Sequence, residues 1–439
     1  MRRRPERHAL LLGASILFGL SLAMLFLALR FLATDAQAVP PHGPYINVTS
    51  DCAACHRVHT GKNKNLLKAL SPQSNTCFTC HDGTGAATNV LSQYAGVPQN
   101  NTAARLIYRH DALTATVHTR GSINEFGGVS NRHSECGDCH NPHKANATDS
   151  TSTISGVTAS GRLAGVSGVS VVNGGVDTVP GYTFLPGGAT PITQEYQLCF
   201  KCHSSFTTLP NNTGFPPSRF NLDKGVEFNP ANPSYHPVEG PGKNTSANMA
   251  LSLSGPSIYR RWTFTTGSVI RCSHCHASNT VPKPATTTTL GLGSQPLHGS
   301  GISGMLRAPY RNRLLKPVGE AFNAAEFELC FMCHSTAPFT ATGGSTNWSK
   351  HYGHTNTRTG TNTGGQNIDD ATANGGNAIC AECHFRIHST SFKFGAQIIP
   401  GRALFSVSPN VQPNRGSLQY SSSGPGSFNC AHICHGKSH

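Results

Sequence analysis

The chain has 439 residues and a formal net charge of +14, yet only 12% of its residues are charged and only 37% are hydrophobic. Its 46 Gly and 28 Pro make about one residue in six, which excludes long helices, broad sheets and a conventional core as the main supports of the fold. Such a chain either stays largely disordered or is held by something other than side-chain packing, and its 16 Cys and 23 His point to that something.

The chain opens on Arg2, Arg3, Arg4 and Arg7, followed by an uncharged apolar run from Ala9 to Leu29 and the small-x-small pattern Ala36-Gln37-Ala38. This is the layout of a signal peptide over 1–38, with cleavage before Val39. An uncleaved anchor is the alternative, because the run is long enough to span a bilayer. Nothing downstream is apolar enough to cross again. The expected product is secreted, extracellular or on the cell surface, and touches membrane only through the cleaved segment. Cytosolic thiol chemistry is then the wrong frame for the cysteines.

Every cysteine falls in a pair. Within 39–145, an N-terminal haem segment, three pairs read C-x-x-C-H: Cys52/Cys55-His56, Cys77/Cys80-His81 and Cys136/Cys139-His140. A Ser/Thr/Gly-rich insert at 146–190 lacks both His and Cys, and Val169-Ser170-Val171-Val172 before Asn173-Gly174-Gly175 reads there as a short strand and turn. The C-terminal haem segment, 191–439, holds Cys199/Cys202-His203, Cys272/Cys275-His276, Cys330/Cys333-His334, Cys380/Cys383-His384 and, with one extra residue, Cys430/Cys434-His435. The spacing suits two thiols adding to the two vinyl groups of a haem, with the adjacent His as proximal iron ligand. A disulfide framework does not need a His after every second Cys, and zinc ribbons lack that recurring His. The C-x-x-x-C-H pair is the weakest of the set, with a terminal disulfide or free thiols as its alternative. The expected cofactors are eight covalently attached c-type haems and their iron.

Eight proximal His leave fifteen of the 23. His8 lies in the targeting segment, and His274 and His432 sit between paired cysteines, pointing away from the iron they flank. Twelve candidates for the distal position remain: His42, His59, His110, His118, His133, His143, His236, His298, His351, His354, His388 and His439. His59, His143 and His388 closely follow a proximal His and can reach the iron of an adjacent haem. His42, His236 and His298 lie in tight Gly/Pro contexts that fix a side chain's direction, and His110 and His354 are chosen among close competitors. Met249 and Met305 are the only Met residues beyond the leader outside a motif, so predominantly bis-His, low-spin haems suited to electron transfer are expected.

Loss of 1–38 removes five basic and two acidic residues, taking +14 to +11. The propionates of eight haems, about sixteen negative charges against about eight from ferric centres, absorb that excess. A nucleic-acid surface need not be invoked, since the basic residues are scattered. First cysteines at 52, 77, 136, 199, 272, 330, 380 and 430 show no constant period, which argues against a solenoid. The expected fold is mostly irregular coil, with short helices near the motifs (Ala321 to Met332 for example), a few short strands and haem as the scaffold. Thr361 to Gly376 reads as a further Gly/Asn/Thr loop.

Pro41-His42-Gly43-Pro44-Tyr45, Asp51-Cys52-Ala53-Ala54-Cys55-His56-Arg57-Val58-His59-Thr60, Glu135-Cys136-Gly137-Asp138-Cys139-His140-Asn141-Pro142-His143 and Cys434-His435-Gly436-Lys437 resemble exported multihaem cytochromes c with paired C-x-x-C-H motifs. Among these the chain is similar to the polymerising cytochromes that form extracellular nanowires. The eight motifs and the C-x-x-x-C-H terminus depart from the better-known four- and six-haem forms. The resemblance implies a non-enzymatic electron conduit, a homopolymer with redox partners and an extracellular electron acceptor, in which the His59 position ligates a haem of the neighbouring subunit. A discrete carrier and an octahaem reductase are the other readings. The reductase needs an open iron, and many such enzymes carry a C-x-x-C-Lys motif that does not occur here.

Overall fold

The computed structural model describes residues 42, 49–63, 65–86, 89–95, 108–114, 133–146, 159–207, 222–279, 297–311, 322–340, 351, 379–390, 393–394, 397–398, 404–406, 408, 420–424 and 427–430. Residues 1–38, expected to be a leader, residues 361–376, expected to be a loop, and His354, Cys434 and His435 lie outside these residues. Among the described residues, no helix is long and apolar enough to cross a membrane.

The expected fold class holds: mostly coil, with short helices and two-stranded sheets. The longest described helix is Ala247–Ser254, eight residues whose first turn is capped by Ser246 Oγ accepting from Met249 N. Helices of this length gain little on their own and depend on tertiary contacts. The helix anticipated over Ala321 to Met332 is split into a 3-10 turn, Ala324–Phe327, and an α-helix, Glu328–Phe331. The break falls at Phe327, whose φ of −124° and ψ of 26° leave the helical region. Its ring stacks on Phe322 in an aromatic group with Phe331 and Phe339.

The strand expected at Val169–Val172 is present as Gly168–Val172, paired antiparallel with Gly181–Leu185 in the register Val169 to Phe184 and Val171 to Tyr182. Gly168 is required where the hairpin crosses the helix Glu195–Phe200, because a Cβ there would come within 2.2 Å of Ile192 Cγ2 and 2.7 Å of Gln197 O.

Apolar burial is divided among small clusters, each lying beside a haem-attachment motif. Val169, Phe200, Phe228 and Val238 pack with Cys199 and Cys272 at their rim. Leu253, Trp262, Phe264, Ala308 and Met332 meet Cys333, and Phe327, Phe331, Ile379 and Ala381 meet Cys380. His274, set aside above as a ligand, is a core residue. It packs edge-on against Trp262 and Phe264, and its Nδ1 accepts from Arg271 N at 2.8 Å. Burial pushes it down to about 3, so it is neutral there.

Candidate haem-binding sites

The motifs take two alternating shapes. In the first, third, fifth and seventh, the cysteines themselves close a helical turn: Thr49–Cys55, Cys136–Cys139, Cys272–Cys275 and Cys380–Cys383. The following His leaves this turn, and His56, His276 and His384 each make an isolated bridge, to Leu67, Leu306 and Ser406. In each of these motifs the Nδ1–H of the His donates to a loop carbonyl further on: His56 to Asn65 at 2.9 Å, His140 to Arg162 at 2.9 Å, His276 to Gly304 at 2.7 Å, and His384 to Leu404. In the second, fourth and sixth motifs the helix ends at or just past the first cysteine: Ser74–Cys77, Glu195–Phe200 and Glu328–Phe331. The sequence has no constant period, yet the structure has a period of two motifs.

Cys80 shows what the second shape does to a motif's second thiol. The helix Ser74–Cys77 stops before Cys80 is reached. The Cys80 carbonyl instead accepts from Gly85 N at 3.2 Å and Ala86 N at 2.8 Å, which turns the chain back over the motif. Its Sγ lies 3.9 Å from Thr79 Oγ1, and a Cβ on Gly85 would come within 3.3 Å of that sulfur. The thiol is thus set by a loop, whereas Cys139, Cys275 and Cys383 sit at the end of a helical turn.

Neighbouring motifs are joined at their thiols. Cys77 lies beside Cys136, Cys199 beside Cys272 and Cys330 beside Cys380, each pair linking an even motif to the next odd one. Cys139 and Cys202, and Cys275 with Cys330 and Cys333, interact across the remaining junctions, as Cys55 and Cys77 do at the first. The motifs therefore follow one another in space in chain order. Buried carboxylates reinforce the joints: Glu195 accepts from Ser273 N at 2.9 Å and Ser273 Oγ at 2.7 Å, and Glu135 accepts from Gln73 N. The sequence reading missed these acids, although a Glu at one or four residues before a first cysteine was a usable signal.

The decisive arrangement is among the imidazoles. His56 faces His143, His81 faces His42, His140 faces His298, His203 faces His110, His276 faces His388 and His384 faces His351, with ring centroids 6.0 to 6.3 Å apart. For His334, the neighbouring imidazole that bears on it most is His236. Every pair joins a motif His to one outside the motifs. A metal–imidazole bond is about 2 Å long, so two of them end to end place ring centroids about 6 Å apart. The residues therefore fit a haem iron between each pair. Where the Nδ1–H is donated, as in His56, His140, His276 and His384, it fixes the tautomer whose Nε2 carries the free lone pair.

Two pairs of candidate distal residues arrive on matching supports. His110 N bonds His298 O at 3.2 Å, and His110 Nδ1–H donates to Leu297 O at 2.9 Å, where Tyr108–Arg109 pairs with Gly299–Ser300. Likewise His236 N bonds His388 O at 2.9 Å and His236 Nδ1–H donates to Ile387 O, beside the Tyr235 to Ser389 bridge. Burial pushes His298 down to about 3 and His236 and His276 to about 4, so all three are neutral imidazoles able to ligate metal.

Among the remaining predicted residues, His59 is exposed. His133 lies 3.5 Å from Asp138 through Nε2. His351, passed over in favour of His354, lies parallel to His384 and is held by the Phe339 ring at 4.9 Å. Cys430 ends the strand Ser427–Cys430, while its partners Cys434 and His435 fall outside the described residues. The cysteines of the first seven motifs, Cys52 and Cys80 included, are free of disulfides.

A family model described as a doubled CXXCH motif matches residues 42–86, which span the first two motifs and His42. The match supports a multihaem c-type cytochrome. No curated protein and no solved structure matches the chain. The two-motif unit of the family model has the same length in motifs as the structural period described above.

Proposed function

We propose that this cytochrome is an exported octahaem electron conduit with bis-His haems, and that it serves as a subunit of an extracellular conductive filament. The pairing of motif imidazoles with non-motif imidazoles is the observation that carries this reading. At the seven described motifs such pairs would occupy both axial positions, which favours electron transfer over reduction of a bound molecule. When bound, haem iron supplies a one-electron couple. The chain's own contribution is spacing and order: the cysteines of successive motifs lie side by side and would set neighbouring porphyrins next to one another along the sequence, and the surrounding peptide limits water.

The assembly part of the proposal starts from His59. It is exposed, and among the described residues no imidazole stacks on it. Val58, 75% exposed, and Leu70, 66% exposed, present apolar surface on the same part of the chain, which suits contact with a second copy. A His59 from one subunit completing a haem of the next makes polymerisation and ligation one event. The leader at 1–38 supports export, and minerals, electrodes or partner cells are the class of final acceptor.

Negative-stain images of the secreted protein, taken beside its haem spectrum, test this. Filaments with low-spin haem are expected. His59→Ala should keep every haem attached, abolish filaments and convert one haem per subunit to a high-spin or water-ligated state. Discrete particles from the wild type would make it a soluble carrier, and a substoichiometric high-spin signal that binds small ligands would make it an enzyme.

A further inference from the structure

The two matching distal supports differ at one buried position. In the first, the Nδ1–H of His298 donates to Gln93 Oε1 at 2.9 Å, from the short helix Leu91–Ala95. In the second, the Nδ1–H of His388 donates to Glu227 Oε2 at 2.7 Å, from the short helix Lys224–Phe228. The geometry is otherwise repeated, down to the backbone bond from the companion His and the bridge beside it. An amide stands at one position and a carboxylate at the other.

Glu227 is held firmly in place. Asp223 caps its helix by accepting from Gly225 N at 2.9 Å. Asn232 Nδ2 donates to Val226 O at 2.7 Å, Glu227 O at 3.0 Å and Ser389 Oγ at 3.2 Å, tying the helix end to the residue after His388. Lys224 Nζ donates to the same Glu227 oxygen at 2.8 Å, and its side chain remains 21% exposed. The carboxylate itself is fully buried. The Phe228 ring packs on His388 at 4.9 Å. The arrangement positions one acceptor on one imidazole and shields it from water.

A carboxylate accepting an imidazole N–H makes that imidazole a stronger donor to its metal, and it stabilises the more positive oxidised state. An amide oxygen does this only weakly. We infer that Glu227 sets the haem held by Cys272, Cys275, His276 and His388 at a lower potential than the haem held by Cys136, Cys139, His140 and His298, where Gln93 takes the same place. Glu227 is a positioning residue that acts through His388. The fifth-motif haem thereby holds its electron less tightly than the third-motif haem. The inference rests on the bis-His reading above.

Reciprocal exchange tests it in the intact holoprotein, by spectroelectrochemical titration with low-temperature electron paramagnetic resonance to count low-spin haems. Glu227→Gln should keep every haem attached and low-spin. It should also lower the ferric-to-ferrous ratio of one haem about tenfold at fixed potential, a rise of about 59 mV for a one-electron couple. Gln93→Glu should move a different haem the other way, and Glu227→Asp, which keeps the charge but shortens its reach, should fall between wild type and Glu227→Gln. Unchanged potentials in Glu227→Gln, with all haems low-spin, would overturn the inference alone. A wild-type protein whose fifth-motif haem is high-spin would overturn the ligation reading and the inference with it. Should Gln93→Glu fail to fold, the Glu227 pair decides.

Discussion

The imidazole of His143 lies nearly parallel to that of His56, with planes 8° apart and centroids 6.1 Å apart, although His143 follows the third motif and His56 belongs to the first. A residue leaving one attachment site thus faces the motif imidazole of another. His388 repeats the relation, trailing the seventh motif and facing His276 of the fifth. His143→Ala should leave all haems covalently attached and produce one high-spin haem, seen as loss of low-spin signal and gain of carbon monoxide binding. A fully low-spin variant would mean that His143 and His56 are only stacked rings.

The seventh site supplies a sharper choice. His351 faces His384 at 6.3 Å with planes 6° apart, whereas sequence context favours His354. His351→Ala should generate one high-spin haem, and His354→Ala should leave that haem untouched. The reverse pattern in the two spectra would restore the sequence ranking.

The attachment sites were legible because their chemistry is local: two thiols and an imidazole must be adjacent in sequence to meet one porphyrin. The irregular fold was legible for the same reason, since Gly and Pro remove the alternative. The different settings of Cys80 and Cys139 were not, because identical spacing hides whether a helix or a loop presents the second thiol. The partner of each imidazole was not legible either, because His110 meets His203 and His298 meets His140 through long-range folding that no local pattern encodes. Gln93 and Glu227 were missed entirely. Each acts from a short helix far in sequence from the His it touches, and neither belongs to a recognisable motif. The two-motif period was hidden because insertions such as 146–190 change the spacing without changing the joint.

Glu195 joins the fourth motif to the fifth through two bonds to Ser273, one to the backbone N–H and one to the hydroxyl. Glu195→Ala leaves both buried donors unpaired and should cost about 2–4 kcal/mol. Chemical denaturation of the holoprotein, followed by the Soret band, measures this. A loss below about 0.5 kcal/mol would show that the two Glu195 bonds do not hold this joint.

Among the described residues the apolar core is split into small clusters beside the motifs, which favours covalent haem and its axial bonds as the main source of stability. Chain produced without haem attachment should be unfolded by circular dichroism and rapidly proteolysed. A compact apoprotein with a cooperative melt would contradict this. Intact mass of the mature holoprotein should show eight haem additions, and Cys434→Ser should disturb only the last.

Glu239 gives a pH dependence that can be separated from haem chemistry. Its Oε2 accepts from Asn173 Nδ2 at 2.7 Å, while its Oε1 is buried without a hydrogen-bond partner. Burial pushes the carboxyl up to about 7, the nearby Asp223 charge adds to the rise, and the Asn173 bond opposes it. The unfolded chain returns the group to about 4.5, so folding binds a proton between these values. The stabilisation is fully present below about pH 4.5 and is lost as pH rises through about 7. Glu239→Gln removes the titration and keeps the shape. The stability of the variant relative to wild type should therefore increase from pH 4.5 to pH 8, by on the order of 2 kcal/mol. Propionate titrations are common to both proteins and cancel in the difference. Melting curves of the two holoproteins across that range provide the measurement, and a difference that stays flat with pH would show that the Glu239 carboxyl is as well solvated folded as unfolded.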